Sequence, residues 1–291
     1  VSNIVDISYK SSDGTSYDLR GTAPRVKSAA FHEFAWEADV TRRQYGDRVD
    51  SWAKKSVEYG MDLYIYGDLN IRRKWLNRFH SSIDADFFSG QPGVLTWGSS
   101  YIYCFIKASN TYPAERNTYT VNELTIYCPD PFWIQEQSLT VHAAEETARR
   151  ITDKGYGGYG LSYGYPYSYR KVVSPPFLKI DHYAECDFRL IAYGPAAAVN
   201  VNIGGNQYAV DYPVASGEVM IIDTRSTQAA DRHAYIVGTG GRMVNVFDYR
   251  KADSLLMQKI KPGIVPVSYS RTYRIDLTIY KRRSEPAWDT I

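Results

Sequence analysis

The chain has 291 residues, 44% hydrophobic and 23% charged, so each half is long enough to bury its own core and two domains are expected. The net charge is only +2: residues 1–133 carry 15 Lys/Arg against 16 Asp/Glu, leaving 19 against 16 for residues 134–291, which argues against a phosphate-tracking or sequence-reading nucleic-acid protein. Three widely spaced cysteines, Cys104, Cys128 and Cys186, argue against a disulfide scaffold or a cysteine metal site and favour assembly in a reducing cytosol, and no apolar run is long enough to span a membrane.

Taken in order, Asn3 to Tyr9 reads as a strand, Ser12-Asp13-Gly14 as a turn, and Tyr17 to Leu19 as the returning strand. Residues 20–58 have no clear period. Within them, Thr41 to Lys55 is polar, with Gly46 in its middle. It reads either as a solvated loop or hairpin or as an arm laid on a neighbouring subunit. Trp52 favours the arm, since an exposed indole needs a cover. Tyr59 to Tyr66 alternates cleanly and predicts a strand. Asn70 is then the expected cap of a helix over 70–83, with Ile71, Trp75, Phe79 and Ile83 every fourth residue. Arg72, Arg73, Lys74 and Arg78 lie mostly off that stripe. They predict a solvated or intersubunit salt-bridge face rather than a nucleic-acid site. Gln91-Pro92-Gly93 reads as a turn, and Tyr101 to Ile106 and Tyr119 to Cys128 as strands. In the second of these, Leu124, Ile126 and Cys128 share a face.

Cys128-Pro129-Asp130-Pro131-Phe132-Trp133 is the expected domain junction. Pro129 and Pro131 stop regular structure, and Phe132 and Trp133 need burial as anchors. The predicted domains are 1–133, a linker region 134–170, and 171–291. Leu139 to Arg149 fits helix and extended patterns equally. Lys154 to Tyr169 holds six tyrosines and five glycines and reads as a flexible linker or as an ordered loop pinned against a sheet or a neighbouring subunit. From Phe188 onward short strands recur. They include Val199 to Ile203 before a Gly204-Gly205 turn, Val219 to Ile222 and Tyr273 to Tyr280; Ala234 to Val237, Gly240-Gly241, Met243 to Phe247 and Leu255 to Met257 read as further short strands or turns, and Pro262-Gly263 as a turn. Many short strands with Gly-rich turns predict a β-sandwich.

Little points to catalysis. His32, His80, His142, His182 and His233 have no ligand spacing between them, and the chain lacks a phosphate-binding loop and a nucleophile elbow. No metal and no cofactor is expected. Glu115, Glu123, Asp211, Glu218 and Asp223 fall near predicted strands, so a two-carboxylate glycan-acting enzyme stays open. A tyrosine-rich sandwich that binds carbohydrate by stacking also stays open.

Three blocks together resemble the distal tail (Dit) family of long non-contractile-tailed bacteriophages and related tail-like particles. They are Tyr59 to Phe79 with its RRKWLNRF helix; Tyr103-Cys104 with LTIYCPDPFW over 124–133; and SGEVMIIDT over 216–224 with KIKPG at 259–263 and IDLTIYKRR at 275–283. The YGYPYSY run at 163–169 is similar to that family's linker. The resemblance implies a mainly β, non-enzymatic structural protein. An N-terminal ring-forming β domain with one packed helix would precede a C-terminal galectin-like β-sandwich. It further implies a homohexameric ring at the virion tail tip, assembled in the host bacterial cytoplasm. That ring would join the tail tube protein to the tail-tip hub protein or baseplate around a channel for DNA. Peripheral baseplate or receptor-binding proteins would attach outside. On this reading Trp52, Arg72, Arg73 and Arg78 are the candidate ring contacts, and Pro129, Pro131, Phe132 and Trp133 the junction anchors.

Overall fold

A computed structural model describes residues 5–21, 23–113, 118–143, 176–225 and 234–288. The tyrosine- and glycine-rich run 154–169, with most of the 134–170 linker region and Glu115 and His233, lies outside the described residues. The chain divides into two units: Val1–Gln135 with Arg282–Ile291, and Glu136–Lys281. The first unit therefore ends two residues beyond the double-proline stretch and takes back the last ten residues of the chain.

The first unit opens with β1 (Ile7–Lys10), β2 (Ser16–Asp18) and β3 (Pro24–Ala29). A separate two-stranded hairpin follows, β4 (Glu37–Arg42) and β5 (Asp47–Ala53). Then come β6 (Val57–Tyr66), α1 (Leu69–Ser89), β7 (Gly93–Trp97), β8 (Ser100–Pro113) and β9 (Tyr119–Cys128). β10 (Trp133–Val141) starts in this unit. β3, β6, β9 and β8 form one antiparallel sheet in that order, and β8 also pairs with β7, which carries β1 and β2 beyond it. The alternation of β6 and β9 survives: Tyr59, Met61 and Leu63 share one core with Leu124, Ile126 and Cys128, and Ile65, next on the same face, is also buried.

Helix α1 shows what a four-residue spacing does. Each step of four overshoots a full turn by about 40°, so the stripe rotates around the helix. Phe79 and Ile83, at its middle, are buried, while Ile71 and Phe87, at its ends, are 51% and 49% exposed. The helix begins one residue before the predicted Asn70 cap. Asp68 holds the cap position without a side-chain hydrogen bond, and Gly90 ends the helix at φ 64°. The Pro92-Gly93 turn signal hid the start of β7. Gly93 is required there because a Cβ would lie 2.6 Å from Cζ of the Tyr9 ring.

The second unit contains the remainder of β10, β11 (Phe177–Ile180), β12 (Asp187–Tyr193), β13 (Val199–Ile203), β14 (Asn206–Val210), β15 (Val219–Asp223), β16 (Ala234–Val237), β17 (Met243–Asn245), β18 (Gly263–Tyr269) and most of β19 (Ile275–Arg283). One sheet runs β17-β16-β15-β12-β19-β10 and the other β11-β18-β13-β14. Leu190, Ile222, Ile236 and Leu277 of the first share a core with Leu178, Val201, Ile203 and Val265 of the second. This is a β-sandwich, as the turn spacing predicts. Of the strand-or-turn stretches, Leu255 to Met257 forms a turn, closed by the Gln258 N–H on the Leu255 carbonyl. The fold class is mainly β with a single long helix among the described residues.

A candidate assembly surface

The β4–β5 hairpin is the part of the chain that most needs explaining. All thirteen of its strand residues are exposed. An isolated two-stranded hairpin is marginally stable in water at best. Its register gives it two unlike faces. Ala38 pairs with Trp52, Val40 with Val49 and Arg42 with Asp47, and these share one face. Glu37, Asp39, Thr41, Arg48 and Ser51 take the other. Val49 and Trp52 are three residues apart and would point opposite ways in a regular strand. A bulge at Asp50 brings them to the same side. Asp50 then binds the polar face, accepting a hydrogen bond from Thr41 and pairing with Arg48 at 3.1 Å. Gly46, at φ 75°, closes the turn. The product is an amphipathic hairpin with Trp52 61% exposed.

Its root, in contrast, is clamped. Lys54 donates to the carbonyls of Pro131 (2.8 Å) and Ser284 (3.1 Å). The same ammonium lies over the rings of Phe34 (5.5 Å) and Phe132 (5.0 Å). Burial holds the Lys54 pKa below its ordinary value, against the opposing pull of Asp130. On the Phe132 ring the Arg282 guanidinium packs at 4.6 Å while binding Asp130. Trp36 leans on Phe132 at 6.1 Å. Trp133 has the other role: it is fully buried, 5.6 Å from Phe31 and 6.3 Å from Tyr59. Burial pushes the Tyr59 phenol up to about 12 despite the lowering contribution of the Trp133 indole N–H. Pro131 is buried beside them and Pro129 is exposed. The junction residues thus divide into a surface plate, Phe132, and a core anchor, Trp133.

The basic residues of α1 do not act as one set. Arg73, Lys74 and Arg78 are exposed, with Arg78 stacked 5.9 Å from the Tyr17 ring. Arg72 must be removed from the exposed face. It is 3% exposed, and its Nη1 donates to Thr120 Oγ1 at 3.0 Å on β9. An Arg inside the sheet–helix core holds the protomer together and is closed to a neighbour. Near the other end of α1, buried Asp86 accepts from Tyr9, from Ser11 Oγ (2.7 Å) and from the Ser12 N–H (2.7 Å), fixing the first turn to the helix.

Sequence reading missed a second apolar surface in this unit. Phe87, Gly90, Phe105, Lys107 and Tyr127 line an open hollow of about 290 Å³. Phe87 and Phe105 are 5.3 Å apart, and Phe88, next in the chain, is 93% exposed. The available signal was the extension of the Ile71–Ile83 stripe by one further step to Phe87.

Three of the five candidate carboxylates have structural partners. Glu123 accepts from Tyr112 Oη (2.6 Å) and Asn110 (3.1 Å), Glu218 from the Ala215 N–H (3.0 Å), and Asp223 pairs with Arg225 (2.7 Å). In the second unit Asn200, Asn202, Gln207 and Ser268 line a shallow polar hollow. Its tyrosines serve the fold: Tyr273 bonds the Asn200 backbone and Tyr269 donates to the carbonyls of Val141 and Tyr273. Among the described residues, no three His, Cys, Asp or Glu are grouped to hold a metal, and no helix is long and apolar enough to cross a membrane.

These features define a two-unit β protein whose first unit exposes an amphipathic hairpin and an apolar hollow. The same fold occurs in solved structures of a phage hub protein and a phage baseplate. The Dit protein (gp 19.1) of phage SPP1, described as a paradigm of the hub adsorption apparatus in phages infecting Gram-positive bacteria, matches with TM-score 0.56 and 12% identity over 97% of this chain and 100% of its own. Chains of the phage P2 baseplate in its activated conformation match with TM-score 0.63 and 13% identity. With calcium the match covers 97% of this chain, with strontium 98%, and in both all of the baseplate chain. No family model and no curated protein sequence matches. The chain therefore has the Dit-like fold of phage hub and baseplate proteins over nearly its whole length, at a sequence identity that carries the fold alone.

Proposed function

We propose that this chain is a non-enzymatic distal tail adaptor. Its first unit closes into a homohexameric ring that joins the tail tube protein to the tail-tip hub protein or baseplate and leaves a channel for DNA. Its second unit offers an attachment surface to peripheral baseplate or receptor-binding proteins. It is assembled in the host bacterial cytoplasm and resides at the virion tail tip. The observation that carries this reading is the coincidence of a whole-chain fold match to phage hub and baseplate proteins with an amphipathic hairpin left bare in the single protomer. Trp52, Arg73 and Arg78 stand as ring contacts, because they are exposed on the first unit; Arg72 is withdrawn because it is buried. A head-to-tail interface suits a closed ring, since two different surfaces of one unit must meet.

Light scattering and negative-stain imaging of the purified chain test the proposal. Rings with a central hole and about six times the 33.1 kDa protomer mass are expected. A protein that stays monomeric at micromolar concentration, or that binds glycan as a monomer, would overturn it.

A further inference from the structure

We propose that Cys104 and Cys128 are a latent disulfide pair, open in a reducing cytosol and closed by a small disulfide oxidant such as oxidised glutathione. The pair lies wholly in the first unit and does not depend on the ring reading. In the β8–β9 ladder Phe105 faces Tyr127 and Ile106 faces Ile126. One step further along that ladder, Cys104 stands opposite Cys128. Both side chains point into the core of the first unit and are fully buried. Directly opposed residues of antiparallel strands have Cα atoms about 4.5–5.5 Å apart. That lies inside the roughly 4.4–6.8 Å that a disulfide spans. The two thiols are already in hydrogen-bonding contact. Cys186 belongs to the second unit and leaves the pairing unambiguous.

The surroundings make the closed core slow to oxidise. The contact with Cys128, then burial, hold the Cys104 thiol well above its ordinary pKa, and the buried Asp86 carboxylate adds to this. The thiolate is the attacking form, so its scarcity protects the pair. Access comes from the strand end. Cys128 is the last residue of β9, and the exposed Pro129 after it has no N–H to extend the ladder. Opening that end admits the oxidant to Cys128 first. The Cys128 thiolate attacks the small disulfide, forms a mixed disulfide and releases one thiol. The Cys104 thiolate then attacks the Cys128 sulfur, releases the second thiol and closes the bridge. Two protein thiols are oxidised, one small disulfide is reduced to two thiols, and the two protons pass to those products. The bridge ties β8 to β9 where Cys128 also pairs with Val57, the first residue of β6.

The test incubates the purified full chain with oxidised glutathione, counts thiols by alkylation in denaturant, and maps linked peptides by mass spectrometry. Partial opening in urea, followed by its removal, gives the oxidant access whatever the rate in water. Alkylatable thiols are expected to fall from three to one, with Cys104 and Cys128 joined within one chain. The oxidised chain should unfold at a midpoint several degrees higher, and reduction should return it to the starting value. Cys186→Ser should leave the linkage unchanged, while Cys104→Ser should stop at a glutathione adduct on Cys128. Three thiols remaining after the urea cycle, a bridge to Cys186, or an oxidised chain that unfolds earlier than the reduced one would overturn the proposal.

Discussion

Two hairpins of this chain have similar length and opposite surroundings. In β13–β14, Val199, Val201, Ile203, Tyr208 and Val210 point into the sandwich core. The outer edge of β14 is also closed: Ala209 N–H bonds Ser254 Oγ at 2.8 Å, and Lys251 and Asp211 add backbone bonds alongside it. In β4–β5 no strand residue is covered on either face. A hairpin gains stability by packing one face and satisfying its edges. The first finds both within its own unit. The second has been given an apolar face by a bulge and then left without either in the protomer, which is why the proposed function assigns it a cover from another chain.

The largest effect that tests this contrast lies where the bare hairpin meets the packed core. Trp133→Ala empties the site beside Phe31 and Tyr59 and should cost the first unit about 3–5 kcal/mol. Trp52→Ala removes the same side chain from the hairpin and should change the stability of unassembled protein by less than about 0.5 kcal/mol. Chemical denaturation of both variants at low concentration makes the comparison. Equal losses would mean that the hairpin is packed within its own protomer. Next in size is the matched pair in the strands themselves. Ile203→Ala should cost the second unit about 2–5 kcal/mol, while Val49→Ala should leave the monomer unchanged and weaken only assembly.

The same contrast explains which parts of the fold were legible in the sequence. β6, β9 and β19 each bury one face, so period two is written into Met61, Leu63 and Ile65 and again into Ile275, Leu277 and Ile279. β4–β5 buries neither face, and its bulge sets Val49 and Trp52 three apart, so no period could appear. The arm reading of Thr41 to Lys55 came from Trp52 alone. β7 and β18 were hidden because the turn signals Pro92-Gly93 and Pro262-Gly263 fall at their first residues. The helix cap was misplaced because Asp68 takes that position without using its side chain. Arg72 was grouped with its neighbours because sequence shows its charge and not Thr120 across the core. The Phe87 hollow joins α1, β8 and β9, and that meeting is tertiary.

A smaller effect tests the clamp. Lys54→Ala withdraws a donor from the Pro131 and Ser284 carbonyls and a cation from two rings. A loss of about 1–2 kcal/mol is expected. Assembly should suffer more than stability, because the hairpin loses its fixed exit direction. If Lys54→Ala assembled as the parent does, preorganisation of the hairpin would play no part.

The smallest effect separates packed surfaces from bare ones by titration. Burial pushes Tyr59 of the first unit and Tyr269 and Tyr280 of the second up to about 12. A tyrosine whose folded pKa lies above its unfolded value near 10 holds its proton more tightly when folded. The stability that goes with it is complete below about pH 10 and is lost as pH rises toward 12. Tyrosinate absorbance should therefore rise in two stages, the later one coinciding with unfolding of the two cores. Tyr59→Phe should shrink the late stage and leave the early one unchanged. A single early stage in protein that is still folded would show that these phenols are open to solvent, and that the packed half of the comparison is wrong.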